Sequence, residues 1–242
     1  MTQQTQALPD ILRTRDQERI RGYKDLLDFY NGAQWLTQSR RERQLTFNYA
    51  RVSIDKATSY LMSGLDFAVD PLGDSDRDRE KAREAEAAIY QAYQQNNCEA
   101  LDFETEVDAA ILGDGCYKAT WDPQEKRVRI TAPDVQGLWA WTRGDDPSQV
   151  RRVASKYTLS AEEAKERYGV EVSGKTVDII EDWTATAVEV WAGAERVSSG
   201  PNPYGFIPFV IFPNIREPKK LWGASDIPAI RETQRELNRA LS

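Results

Sequence analysis

Residues 169–176, GVEVSGKT, place Gly169, Gly174, Lys175 and Thr176 at the spacing of a Walker A phosphate loop. In such a loop, backbone N–H groups cradle phosphates, the lysine reaches the terminal phosphates and the hydroxyl holds magnesium. A phosphate loop follows a strand and opens a helix, whose N-terminus helps to hold the anion. Here a helical pattern precedes the motif, and TVDIIEDW at 176–183 alternates like a strand. Val170 and Val172 also resist the positive φ angles that the cradle uses. A P-loop nucleotide-binding protein using Gly169–Thr176 is the alternative reading; the competing one is a helix cap and a turn into a strand.

Ser53 and Lys56 match the SxxK nucleophile motif, but its partner motifs SDN and KTG are absent. The same stretch reads as one side of a helix whose apolar face is Val52, Ile54, Ala57 and Leu61. Glu104 with Asp108, and Asp145 with Asp146, have the hard oxygen chemistry of a divalent-cation site, yet such pairs are ordinary solvated carboxylates. There is no histidine, which removes the commonest general base and zinc ligand. Cys98 and Cys116 stand at no metal-ligand spacing and read as idle thiols or a single disulfide.

The 242 residues are 40% hydrophobic and 29% charged, which supports a packed core. No run approaches the ~18 apolar residues of a membrane span. The first ten residues lack the basic and apolar regions of a signal peptide. The net charge of -7 is uneven: residues 1–64 balance at +3 (10 basic, 7 acidic) and residues 65–150 at -10 (9 basic, 19 acidic). Residues 151–242 carry 13 of each sign. Blanket neutralisation of DNA phosphates needs a basic surface, so this balance excludes it.

These residues must be positioned by elements whose pattern is helical first and then β. One helix is expected over 10–31, capped by Asp10, with Tyr23, Leu26, Leu27 and Tyr30 on one face and Asn31-Gly32 ending it. A loop with Arg40, Arg41 and Arg43 leads to a helix at 52–62 stopped by Gly64. A short strand is expected at 67–69. Helices follow at 74–96, with an apolar stripe of Ala82, Ala85, Ile89, Ala92 and Tyr93, and at 100–112. Gly113-Asp114-Gly115 signals a turn into a hairpin at 116–121 and 127–131. Further strands are expected at 138–142, 150–158, 176–183, 186–192 and 206–212. A capping box at Ser160 and Glu163 starts an intervening helix that Gly169 closes. The fold class is therefore α+β: N-terminal helices packed with a mostly antiparallel β region, ending in a long stem-type helix.

That last helix begins near Ser225, a good N-cap, with Pro228 in its first turn. Ile227, Ile230, Gln234, Leu237 and Leu241 form one face. Arg231, Arg235 and Arg239 repeat on another with Glu232 and Glu236 beside them, either as intrahelical ion pairs or as a subunit-interface or channel-facing stripe.

Five pieces in order carry a family resemblance. They are FYNGAQ at 29–34, NYARVSIDKATSYLMSGLDFAV at 48–69, AILGDGCYKATW at 110–121, NPYGFIPFVIFPN at 202–214, and WGASDI at 222–227 running into QRELNRALS at 234–242. Together they resemble the N-terminal part of portal proteins, the head-to-tail connectors of tailed bacteriophages. The resemblance implies a flexible N-terminus at 1–8, a wing domain at 9–223 and the start of a stem helix at 224–242. The clip, the rest of the stem and the crown would follow Ser242, so it also implies a truncated chain. It further implies a homo-oligomeric ring, usually dodecameric, at one capsid vertex of the virion, assembled in the host cytoplasm. Its partners would be terminase, capsid and scaffolding proteins, head-completion or tail adaptor proteins, and double-stranded DNA passing without sequence specificity. It implies no enzyme activity, no cofactor, no metal and no membrane association.

Overall fold

A computed structural model describes residues 7–37, 43–62 and 65–242. The expected Gly64 stop and two residues of the basic cluster, Arg40 and Arg41, lie outside the described residues. The chain is α+β, with helices and wholly antiparallel sheets.

The single helix expected at 10–31 is two: α1 (Leu8–Thr14) and α2 (Gln17–Tyr30). Arg15 turns extended and Asp16 takes a left-handed φ of 54°, which breaks the hydrogen-bond ladder. Ala7, not Asp10, is the N-cap of α1, with a proline in its first turn. Tyr23, Phe29 and Tyr30 of α2 are buried. The next helix, α3 (Tyr49–Leu61), starts three residues earlier than expected because the Asn48 side chain accepts from Arg51 N and caps it. Its buried face is Ala50, Ile54 and Thr58, so the apolar face read from sequence is wrong except at Ile54. Val52 and Leu61 are exposed instead.

No strand forms at 67–69. This segment runs extended along α4 (Asp76–Gln95) and finds side-chain acceptors there: Phe67 N donates to Tyr90 Oη (3.0 Å) and Val69 N to Glu86 Oε2 (3.1 Å). Of the expected stripe on α4 only Ala82 is buried. Helix α5 (Cys98–Leu112) is the hub of the helical layer, touching α2, α3 and α4.

The β region holds two sheets. Strand β1 (Asp114–Asp122) lies between β2 (Arg127–Thr131) and β8 (Phe209–Pro213). The second sheet runs β3 (Leu138–Arg143), β4 (Asp146–Ser160), β5 (Thr176–Thr184), β6 (Ala187–Ala192) and β7 (Glu195–Pro201) in chain order. Strand β7 was missed because its sequence, ERVSSGP, has little apolar alternation; it is an edge strand held by β6 alone. Helix α6 (Ala161–Tyr168) interrupts the sheet with the expected capping box at Ser160 and Glu163.

Period two decides which helix covers which face of the second sheet. Trp139, Ala154 and Ile180 meet Leu8 and Leu12 of α1. Val177 and Ile179, one residue out of phase with Ile180, meet Ala164 of α6. The main core gathers Tyr23, Phe29, Ile54, Ile111, Leu138 and Val153 around Ile227, the first residue of α7 (Ile227–Leu241). Cys98 and Cys116 are buried free thiols, and burial pushes the Cys116 thiol up to about 12.

Candidate functional site: the seat of the C-terminal helix

Helix α7 buries most of the face expected of it, Ile227 and Gln234 fully and Ile230 and Leu237 in part, with Leu241 exposed; its middle is held by buried amides, Gln234 and Asn238 at 4% and 1% exposed. Asn238 Nδ2 donates to Gln34 Oε1 (2.7 Å), and Gln34 Nε2 donates to Asn48 Oδ1 (2.7 Å). Gln234 Nε2 donates to Asn238 Oδ1 (3.0 Å) and to Phe47 O (3.2 Å). Asn238 Oδ1 also accepts from Phe47 N (3.0 Å), and Asn48 Nδ2 donates to Tyr30 O (2.7 Å). Gln234 Oε1 accepts from Ala50 N (2.9 Å), an N–H in the first turn of α3 that has no partner within its own helix. Four amides from three separated segments thus satisfy one another and the start of α3. A half-made version would strand buried polar groups at about 1–3 kcal/mol each, so the network accepts α7 in one register.

The beginning of α7 is fixed by backbone contact. Gly113 ends α5 with φ +98°, and a Cβ there would lie 2.9 Å from both Ala224 C and Ser225 N. A Cβ on Gly223 would lie 2.7 Å from Gly113 O, so the two strands of chain touch through glycines. Asn214 N donates to Gly113 O (2.8 Å) and Asp226 N to Ala110 O (3.0 Å). Ser225 was expected to be the N-cap; the structure puts Asp226 at that position instead. Ser225 Oγ donates to the open carbonyls of Ala110 (3.1 Å) and Ile111 (2.5 Å), and accepts from Ile227 N (3.1 Å). Asp114, fully buried, accepts from Gly223 N (2.8 Å) and from the Tyr23 hydroxyl. Burial raises its carboxyl pKa, against the pull of those two donors. The GDG triplet, read only as a turn, is a helix cap followed by a buried anchor. The available signal was an acid held between two glycines ahead of an apolar strand.

The five side chains marked on α7 divide by partner. Arg231 reaches off its helix to Asp25 Oδ2 (2.7 Å) and lies over the Phe29 ring. Arg235 donates to Gln34 O (3.3 Å) and pairs with Glu232 (2.7 Å). Arg239 pairs with Glu236 on its own helix. Two of the three arginines therefore make intrahelical i, i+3 pairs, and two reach the α2 region.

The other motifs are not assembled into sites. Thr176 opens strand β5, and Gly169 is the left-handed cap of α6 (φ +69°), so the 169–176 loop leads into a strand and not into a helix; the first N–H of α6, Ala161 N, is taken up by the Lys175 carbonyl (3.0 Å). Ser53 and Lys56 are both exposed, and Lys56 Nζ stacks 4.6 Å over the Tyr60 ring. Asp145 and Asp146 sit at the β3–β4 turn, where Ser148 donors hold the Asp146 carboxyl below its usual range. Asp108 moves the other way, up to about 6, first through withdrawal from water and then through repulsion by Asp134 and Glu104. Among the described residues no group of three His, Cys, Asp or Glu could hold a metal ion, and no helix is long and apolar enough to cross a membrane.

A cavity of about 640 Å³ opens between the two sheets. Its floor is Glu181, which accepts from Lys118, from Tyr157 Oη (2.8 Å) and from Trp183 Nε1 (2.9 Å). Burial alone would raise the Glu181 pKa; those three donors hold it below its usual range. No protein-family model and no curated protein matches this chain.

Proposed function

We propose that this chain is a structural subunit of a portal-type ring, with residues 9–223 as the wing domain and α7 as the start of a stem helix. The observation that carries the reading is the meeting of its separated sequence pieces at the seat of α7. FYNGAQ supplies Gln34, NYA supplies Asn48 and Ala50, and QRELN supplies Gln234 and Asn238. AILGDG, the asparagine that ends NPYGFIPFVIFPN, and WGASDI meet at the other end. The pieces that define the resemblance are therefore those that fix the direction in which one helix lies on the body. A ring subunit needs that: each copy must present its stem at one angle for the ring to close.

The role is passive. A conduit for double-stranded DNA works best without tight phosphate neutralisation, since each neutralised phosphate strengthens binding through counterion release. The net charge of -7 suits this. Terminase, capsid and scaffolding proteins and tail adaptors would be the partners, at a capsid vertex. Native mass spectrometry with negative-stain microscopy of the purified protein tests the reading. The expected result is a closed ring of one size; a strict monomer at every concentration would sink it.

A further inference from the structure

Helix α3 has a second face that none of the described residues covers. Opposite its buried Ala50, Ile54 and Thr58 run Tyr49, Val52, Lys56 and Tyr60, all exposed, with Val52 at 59% and Tyr60 at 72%. The Lys56 ammonium lies over the Tyr60 ring and makes no ion pair among the described residues. Helix α5 has the complementary surface. It carries five carboxylates and no cation, and none of the five is in an ion pair among the described residues. Away from its buried Cys98, Asp102, Thr105 and Ala109 it presents Ala100, Phe103, Glu104 and Asp108. Each stripe is an apolar anchor beside an unpaired charge, and the charges are opposite.

The two stripes cannot satisfy each other within one chain. Helices α3 and α5 pack together, and each outward stripe lies across its helix from the buried face. A nucleic acid would be repelled by the α5 stripe. A partner that fits both must bear both, and a second copy of this chain does. Two different surfaces that match give a head-to-tail contact, the kind that generates rings.

We propose that the outward stripe of α3 (Tyr49, Val52, Lys56, Tyr60) docks on the outward stripe of α5 (Phe103, Glu104, Asp108) of a neighbouring copy, with Lys56 facing those carboxylates. This rests on the ring-subunit reading and says which surfaces make the ring.

Two variants each disable one surface: Val52→Asp/Tyr60→Asp on α3, and Phe103→Gln/Glu104→Gln on α5. All four positions are exposed, so both variants are expected to keep the wild-type circular dichroism spectrum and melting temperature. In native mass spectrometry each alone is expected to be monomeric. Mixed, they share one intact pair of surfaces and are expected to stop at a one-to-one heterodimer. A charge swap gives an independent readout: Lys56→Glu and Glu104→Lys each weaken self-association about tenfold, and combined in one chain they restore it to within about threefold. If the α5 variant assembles normally while the α3 variant does not, α3 packs on α3 and the pairing proposed is wrong. Rings unchanged by either variant would overturn the inference and leave the ring reading standing. A monomeric wild-type chain would overturn both.

Discussion

The Asn238 amide faces three partners at once, Gln34, Gln234 and Phe47 N, with no water-accessible side. Asn238→Ala leaves two of them buried and unpaired, so a loss of about 2–4 kcal/mol in urea unfolding is expected. The control is Leu237→Ala beside it, half-buried, with a loss of about 1 kcal/mol. Gly113 is constrained twice, by its φ of +98° and by the backbone 2.9 Å from any Cβ. Gly113→Ala is expected to cost more than about 2 kcal/mol, because the clash is with main chain and cannot relax by a rotamer change. None of this shows in the residue types. Asn238 falls on a helix face that otherwise reads as apolar, and only its neighbours in space reveal why an amide belongs there.

Helix α5 gathers carboxylates without compensation, and Asp108 bears the consequence. Its folded-state pKa of about 6 lies above the ordinary 3.8, so the fold disfavours its ionised form. The sign follows: this group weakens the fold as pH rises from about 4 to about 6, and the weakening is complete above that. Asp108→Asn is therefore expected to raise the melting temperature at pH 7.5 and to leave it unchanged near pH 4, as read by thermal scans across that range. The segment at 169–176 makes a different kind of prediction, because there the order of elements decides. A helix, a loop and then a strand lack the strand-to-helix order that aims a helix N-terminus at a phosphate. Titration calorimetry with magnesium-ATP is expected to show no binding, and Lys175→Ala to change nothing. That spacing matched a motif whose chemistry lies in backbone geometry, which spacing alone does not specify.

Across the whole molecule, α7 is joined to the body at two places: backbone contact at the α5 terminus and the amide network further along. The first contact carries Ile227 into the apolar core, while the second is polar, so its energy comes from hydrogen bonds with strict geometry more than from buried area. Ending the chain at Ala224 is expected to remove Ile227 from the core and to leave Gln34 without Asn238. A broadened unfolding transition and faster amide exchange at Phe47 and Ala50 are the expected signs, measured by hydrogen exchange.

The sequence by itself determined the α+β class and most of the elements, though not the absence of a strand at 67–69, because periods of 3.6 and 2 are local and caps such as the Ser160–Glu163 box act within one turn. It also singled out FYNGAQ, AILGDG, WGASDI and QRELN, whose residues meet at the seat of α7. Three things were left to the tertiary structure. It broke the first helix at Asp16, where a single left-handed residue carries no pattern. It made β7 a strand, because an edge strand needs only one neighbour to supply its hydrogen bonds. And it turned Gln34, Asn48, Gln234 and Asn238 into one site. A buried amide is affordable only if its partners arrive from elsewhere, and for Asn238 and Gln34 they arrive from 204 residues apart.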